Sequence, residues 1–258
     1  MTAVIPRFHV ASFDRDALDV DLPPDEAHHL AHVLRLRVGA EVRVFDGCGL
    51  ERAARVLAVS RRGARLALGA VVESAREMAV RVTLVQAVLK HEAMDAVVRD
   101  ATMLGVAAIV PLLAARCTVP TRAVASGRAV ERWHRIAVGA AKQSGRAVVP
   151  EVRPPATFDQ WLATDEAAVR LLLVEPERAS GATLEDWIAD RRAIAVAGGV
   201  SLAVGPEGGW TAEEVDAAAR HGVVGWSLGR RTLRAEVAPV VALAILCHEW
   251  DDDRGVRS

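Results

Sequence analysis

From residue 81 onward, short apolar runs alternate with helical segments. Strands separated by helices pair through crossovers, which builds a largely parallel sheet. The pattern predicts strands over Arg81–Val88, Ala107–Leu112, Val148–Val149, Val169–Val174, Val200–Val204 and Val224–Leu228. Helices are predicted over His91–Leu104, Ser126–Gln143, Thr157–Leu162, Thr183–Ala189, Thr211–His221 and Glu236–Trp250. Two of these open on a reciprocal capping pair, Thr157 with Gln160 and Thr211 with Glu214. Gly105 and Gly222 stand where the His91–Leu104 and Thr211–His221 helices must stop.

Before residue 73 the pattern is different and β-rich. Arg7–Ser12 reads as a strand, and Pro23-Pro24-Asp25 opens a helix running to about Leu36, with Leu30, Val33 and Leu34 on one face. Glu41–Asp46 alternates, Asp46-Gly47 signals a turn, and Leu50–Val59 and Ala64–Val72 return as strands. These pieces suit a small β-barrel capped by a helix. A linker falls at Glu73–Ala79, so the expected domains are residues 1–74 and 75–258.

Composition removes several function classes. A chain of 258 residues with 52% hydrophobic and 25% charged residues folds without staples. Its three cysteines lie far apart with no CxxC pair, which excludes a zinc ribbon or a thioredoxin-like site. His28 and His32 are spaced for a metal but lack a third ligand nearby, so no metal is expected. Neither Lys90 nor Lys142 follows a glycine, so there is no GxxxxGK phosphate loop, and GxGxxG is also missing. The apolar stretches Ala193–Gly205 and Val237–Cys247 fall short of the roughly 20 residues a membrane span needs. The start shows no signal-peptide pattern, and a cytoplasmic location is expected.

Net charge is −1, but the arginines are clustered. His28–Arg65 holds eight against three acids, and Ala114–Arg153 holds seven plus Lys142 against two. Local basic clusters on a nearly neutral chain point to a directed anionic contact.

Two loops carry the chemistry. Val204-Gly205-Pro206-Glu207-Gly208-Gly209-Trp210 joins a buried strand to a capped helix. Ligands of open α/β sheets bind at the carboxyl ends of strands, and glycines let the backbone come close. Read alone, the loop also fits a tight strand-to-helix turn with no ligand. Leu228-Gly229-Arg230-Arg231-Thr232-Leu233-Arg234-Ala235-Glu236 follows the next strand and sets three arginines and a glutamate before an apolar helix. Those arginines also fit a merely solvated loop.

With these loops the sequence resembles the bacterial 16S rRNA uridine-N3 methyltransferases, the RsmE-like branch of the SPOUT trefoil-knot superfamily. The resemblance spans nearly the whole chain. It includes Arg7-Phe8, His29 to Gly39, Leu104-Gly105-Val106, Pro111, Arg116-Cys117 and Gln143-Ser144-Gly145-Arg146, in family order. The two loops are its specific part. Asp100, Met103, Lys142, Arg230 and Val237 depart from the usual residues.

The resemblance implies an α/β fold in which an N-terminal PUA-like RNA-binding barrel precedes a SPOUT domain with a deep trefoil knot. It implies S-adenosylmethionine as methyl donor, S-adenosylhomocysteine as product, and a decoding-region uridine of 16S rRNA in the small ribosomal subunit as acceptor. Carried over, the cofactor residues are Val174, Glu175, Val204, Gly205, Pro206, Glu207, Gly208, Leu228, Gly229, Arg231 and Leu233. Arg234 takes the electrostatic role at the reacting base, and Glu236 accepts its proton or orients Arg234. Arg7, Arg35, Arg37, Arg116 and Arg146 are the expected phosphate contacts. A homodimer through the knot domain is implied, with the apolar last helix as a candidate contact.

Overall fold

A computed structural model of the chain describes residues 5–60, 63–178, 194 and 197–250. It divides into two compact units, Met1–Glu77 with Val138–Val149, and Met78–Ala137 with Pro150–Ser258. The helix expected over 183–189 lies outside the described residues.

The first unit is built on a five-stranded sheet with the order β1 (Arg7–His9), β3 (Glu41–Phe45), β4 (Glu51–Ser60), β5 (Gly63–Val71) and β2 (Asp19–Asp21). Only β1 and β3 run parallel. The β4–β5 ladder breaks register twice, the kind of irregularity that bends and twists a strand. Phe8, Val42, Val44, Val56 and Leu66 alternate inward and close on Leu22, Ala27 and Leu30 to make its core.

The helix that begins at Pro24 is shorter than its periodicity predicts. An α-helical turn, α1 (Pro24–His28), widens into a π turn over His29–Val33, where the Leu34 N–H donates five residues back to the His29 carbonyl at 2.9 Å. The wide turn rotates later residues off the apolar face. Leu30 is fully buried, whereas Val33 and Leu34 are exposed, contrary to the single-face expectation. Arg35 follows in a left-handed conformation, φ 53°, and ends the helix.

The second unit holds a sheet with the order β12 (Val224–Trp226), β10 (Val169–Leu173), β11 (Val200–Val204), β6 (Val82–Ala87), β7 (Ala108–Leu113) and β8 (Glu151–Val152). A short strand β9 (Ala156–Thr157) also pairs with β7. Every pair is parallel. The central strands β6 and β11 are buried on both faces, which is why they read as unbroken apolar runs.

The crossovers are α2 (Glu92–Met103), α3 (Thr121–Ala125), α4 (Arg128–Ser144), α5 (Phe158–Thr164), α6 (Ala212–Arg220) and the terminal α7 (Ala238–Trp250). Both predicted capping boxes form. Thr157 and Thr211 accept from the backbone N–H of Gln160 and Glu214, whose side chains reach back to the cap residues. The short strand expected at Val148–Val149 is only a bridge, between Val148 and the Gly47-Cys48 turn. No helix among the described residues is long and apolar enough to cross a membrane.

Candidate active site

In the strand order of the second sheet, β12, β10, β11 and β6 are consecutive neighbours. Their carboxyl ends therefore open side by side, although they lie far apart in the chain. A cavity of about 510 Å³ sits there, within the roughly 300–1,000 Å³ of small-molecule sites.

Each wall has a local cause. β10 ends at Leu173, and its continuation is held when the Val174 N–H donates to the Trp226 carbonyl of β12 at 2.9 Å. That bond places Val174 and Glu175 in the lining. β11 delivers Val204, Gly205, Pro206 and Glu207. The loop then folds back on itself, with the Gly209 N–H donating to the Pro206 carbonyl at 2.9 Å. Gly209 has φ 67°, and a side chain there would meet the Glu175 carboxylate at 3.1 Å.

Trp210 anchors the loop from below. Its indole is buried, stacks edge-on against Phe158 at 5.4 Å, and donates to the Leu173 carbonyl at 2.9 Å. A Cβ on Gly205 would stand 3.1 Å from that ring. The glycine at 205 thus lets the tryptophan behind the loop pack closely against the backbone. Glu214 holds the next turn, accepting from the Ala115 N–H at 2.8 Å as well as capping α6.

The loop after β12 supplies the remaining wall. Leu228, Arg231, Leu233, Arg234 and Glu236 all face the cavity. The Arg234 carbonyl accepts from the N–H of Val237 and Ala238, both at 2.9 Å, so the start of α7 is anchored at that residue. Arg234 and Glu236 lie 3.9 Å apart, the arginine side chain 85% exposed and the glutamate 32%. Arg234 is therefore a solvated cation at the rim, with a carboxylate close enough to steer it.

Nine of the eleven expected cofactor residues line this cavity, and Gly208 and Gly229 do not. Gly208 faces Arg116 instead, and its carbonyl accepts from Arg116 Nη1 at 3.0 Å. Gly229 has φ 108° and open space around it, so it serves the turn. Lys90, Leu173 and Trp210 line the cavity although the sequence reading did not select them. Only sheet order brings Lys90 in, since β6 is distant in sequence from both signature loops.

The expected phosphate contacts divide. Arg7 is a correction. It is almost wholly buried, grips Glu51 at 2.9 and 2.8 Å, and donates to the carbonyls of Ala141, Lys142 and Arg146 at 2.7–2.9 Å. With every donor nitrogen engaged inside the first unit, no phosphate can reach it. Arg146 is a second correction: it is buried and paired with Glu77, Nε to Oε1 at 3.0 Å. Arg116 is exposed, but its Nη1 braces the Gly208 and Trp210 carbonyls at 3.0 and 3.2 Å. Arg35 and Arg37 are exposed in the loop after the π turn.

Cys117 is half-buried against the core cluster that includes Trp210. Burial, with smaller help from the Glu207 and Glu214 carboxylates, pushes its thiol pKa up. Among the described residues no group of three or more His, Cys, Asp or Glu side chains could hold a metal ion.

The chain matches the RNA methyltransferase domain family over residues 76–247 and the RNA methyltransferase PUA domain family over residues 22–68. It is 36% identical over 225 residues to ribosomal RNA small subunit methyltransferase E of Synechocystis, spanning 87% of this chain and 71% of that one. This chain belongs to the ribosomal RNA small subunit methyltransferase E family. The Bacillus subtilis member is 27% identical, with 90% of each chain covered. Among solved structures, the family member from Neisseria gonorrhoeae, bound to S-adenosyl methionine, superposes with TM-score 0.85 at 31% identity over 96% of this chain and 98% of that one. The methyltransferase Lpg2936 from Legionella pneumophila, with bound cofactor SAM, gives 0.86 at 30% identity over 95% and 98%. The family thus has the two parts expected from the sequence, an N-terminal PUA domain and a C-terminal α/β methyltransferase domain with a parallel sheet.

Proposed function

We propose that this chain methylates N3 of a decoding-region uridine in the 16S rRNA of the small ribosomal subunit, with S-adenosylmethionine as donor. The observation that carries the reading is convergence. The loops after β11 and β12 and the end of β10 meet on one cavity that also holds Arg234 and Glu236.

The residues present fit the donor. Val174, Val204, Leu228 and Leu233 offer apolar cover for an adenine ring, and the backbone of Gly205–Glu207 offers polar groups at its edge. Glu175, Glu207 and Glu236 in the same lining complement a ligand that carries sulfonium and ammonium charges. When bound, the donor supplies a methyl group on a positively charged sulfur, an electrophile that needs no metal.

The protein's task is the acceptor. Uracil N3 is protonated at neutral pH and attacks poorly until the proton leaves. Arg234 stabilises the negative charge that develops on the uracil, an effect that strengthens once RNA covers the rim and excludes water. Glu236 accepts the N3 proton or holds Arg234 in line. The base has to leave its stack to reach this depth. Arg35 and Arg37 hold backbone phosphates, positioning the RNA without reading its sequence.

In this reading residues 1–74 bind RNA and residues 75–258 carry transfer. The β12–α7 loop belongs to a deep trefoil knot, and two copies pair through the knot domain with α7 in the contact.

The test is methyl transfer to small subunits from cells that lack the modification. A methyl on N3 blocks the pairing edge, so reverse transcription stops at that base, and nucleoside mass spectrometry identifies 3-methyluridine. A decoding-region stop is expected. Bound donor without a stop or a methylated nucleoside would refute the activity.

A further inference from the structure

The turn between β6 and α2 belongs to neither signature loop, yet it puts Lys90 in the wall of the cavity that holds Arg234 and Glu236. The turn is unusual. The Ala93 N–H donates to the Lys90 carbonyl at 3.1 Å, and His91 has φ 44° and ψ −122°. Those angles are close to the first central position of a type II′ turn, about 60° and −120°, which glycine ordinarily fills. A histidine there is strained, and strain of this kind persists where the surroundings hold it. Here the Lys90 N–H is tied across to Glu207 Oε1 of the glycine loop at 3.4 Å.

The side chain that this turn presents is an exposed cation. Lys142, the other lysine, is neutralised by Glu26 at 2.7 Å, whereas among the described residues no carboxylate pairs with Lys90. A lysine ammonium is a compact point charge on a flexible stem with three donors, a common partner of phosphate oxygens.

We propose that Lys90 binds the backbone phosphate of the nucleotide whose base enters the cavity. The assignment rests on the methyltransferase reading above. Lys90 then anchors the flipped nucleotide on the side of β6, opposite the arginine loop in sheet order, so that the ribose is held while Arg234 meets the base. This contact is local to the reacting nucleotide and separate from the phosphates gripped by Arg35 and Arg37.

The experiment compares wild type, Lys90→Gln and Lys90→Arg on unmodified small subunits, measuring subunit binding against salt without the donor, and steady-state transfer with it. Lys90→Gln should weaken binding about tenfold and reduce the magnitude of the log–log salt slope by roughly 0.7–1, the loss of one phosphate contact. Its KM for subunits should rise by a similar factor, with kcat within about twofold and donor affinity unchanged. Lys90→Arg should restore most of the binding, since the charge is kept. Unchanged binding and salt slope in Lys90→Gln would overturn the proposal. A fall in kcat with unchanged binding would also overturn it, placing Lys90 at the base instead. Wild-type protein that binds subunits but transfers no methyl would refute the underlying reading separately, because the salt slopes are read without the donor.

Discussion

Replacing Arg7 by Met separates a structural arginine from an RNA contact. Among the described residues, Arg7 is the only partner closer than 3 Å for the Glu51 carboxylate, which is 1% exposed; Arg43 stands 3.8 Å away. Removing one member of a buried pair costs about 3–5 kcal/mol, because the remaining charge is left uncompensated. Three carbonyls lose their donor as well, and the cation stacked 4.7 Å over Phe45 disappears. Domains are stable by only about 5–15 kcal/mol, so the first unit should approach unfolding. None of the six tryptophans falls in the segments of that unit, so their fluorescence is a poor report on it. Amide hydrogen exchange is therefore the assay. Peptides covering β1 and β3 should exchange roughly two to three and a half orders of magnitude faster, at about tenfold per 1.4 kcal/mol. Adding Glu51→Leu should recover part of the loss, since no charge is then stranded. Unchanged β3 exchange together with weaker RNA binding would refute the reasoning and return Arg7 to the RNA surface.

Three further outcomes are expected. Gly205→Val should displace the Trp210 indole, shift its emission and weaken donor binding at least about tenfold, since an overpacked core site costs about 1–3 kcal/mol; calorimetry showing wild-type affinity would contradict the packing account. Arg234→Ala should lower transfer about 10²–10³-fold, the usual effect of removing one group that stabilises developing charge. Donor affinity should stay within about twofold because that side chain is mostly exposed, and near-normal turnover would end its assigned role. His91→Gly should relieve strain of about 1–3 kcal/mol against a glycine entropy cost of about 0.5–1 kcal/mol. The second unit's melting temperature should then rise by about 2–4 °C by tryptophan fluorescence, and a fall would show that the His91 side chain stabilises the turn.

The parallel sheet was legible because its causes are local. Strands buried on both faces leave apolar runs, and capping boxes mark helix starts at Thr157 and Thr211 whatever surrounds them. The two glycine- and arginine-bearing loops were legible for the same reason, since each follows a strand directly. The π turn at His29–Val33 was not, because an α-helical period cannot anticipate one extra residue in a turn, and so Val33 and Leu34 were assigned to the wrong face. The phosphate contacts were misjudged where charge alone was the guide. Arg7, Arg35, Arg37 and Arg146 carry the same group, yet two are exposed and two are buried against acids distant in sequence. Lys142, a departure from the family pattern, finds Glu26 at 2.7 Å and the Phe8 ring at 5.4 Å, and so acts as part of the packing of the first unit.

By itself, then, the sequence determined the central strands of the parallel sheet, the capped helix starts and which loops leave the carboxyl ends of the strands, because periodicity, capping and glycine act over a few residues. Tertiary structure alone decided which of those ends stand together. The order β12-β10-β11-β6 brings Lys90, Glu175, Glu207 and Arg234 around one cavity, although as many as 144 positions separate Lys90 from Arg234. It also decided which arginines remain exposed to solvent, because a guanidinium is available or engaged according to the carboxylates and carbonyls that folding packs against it.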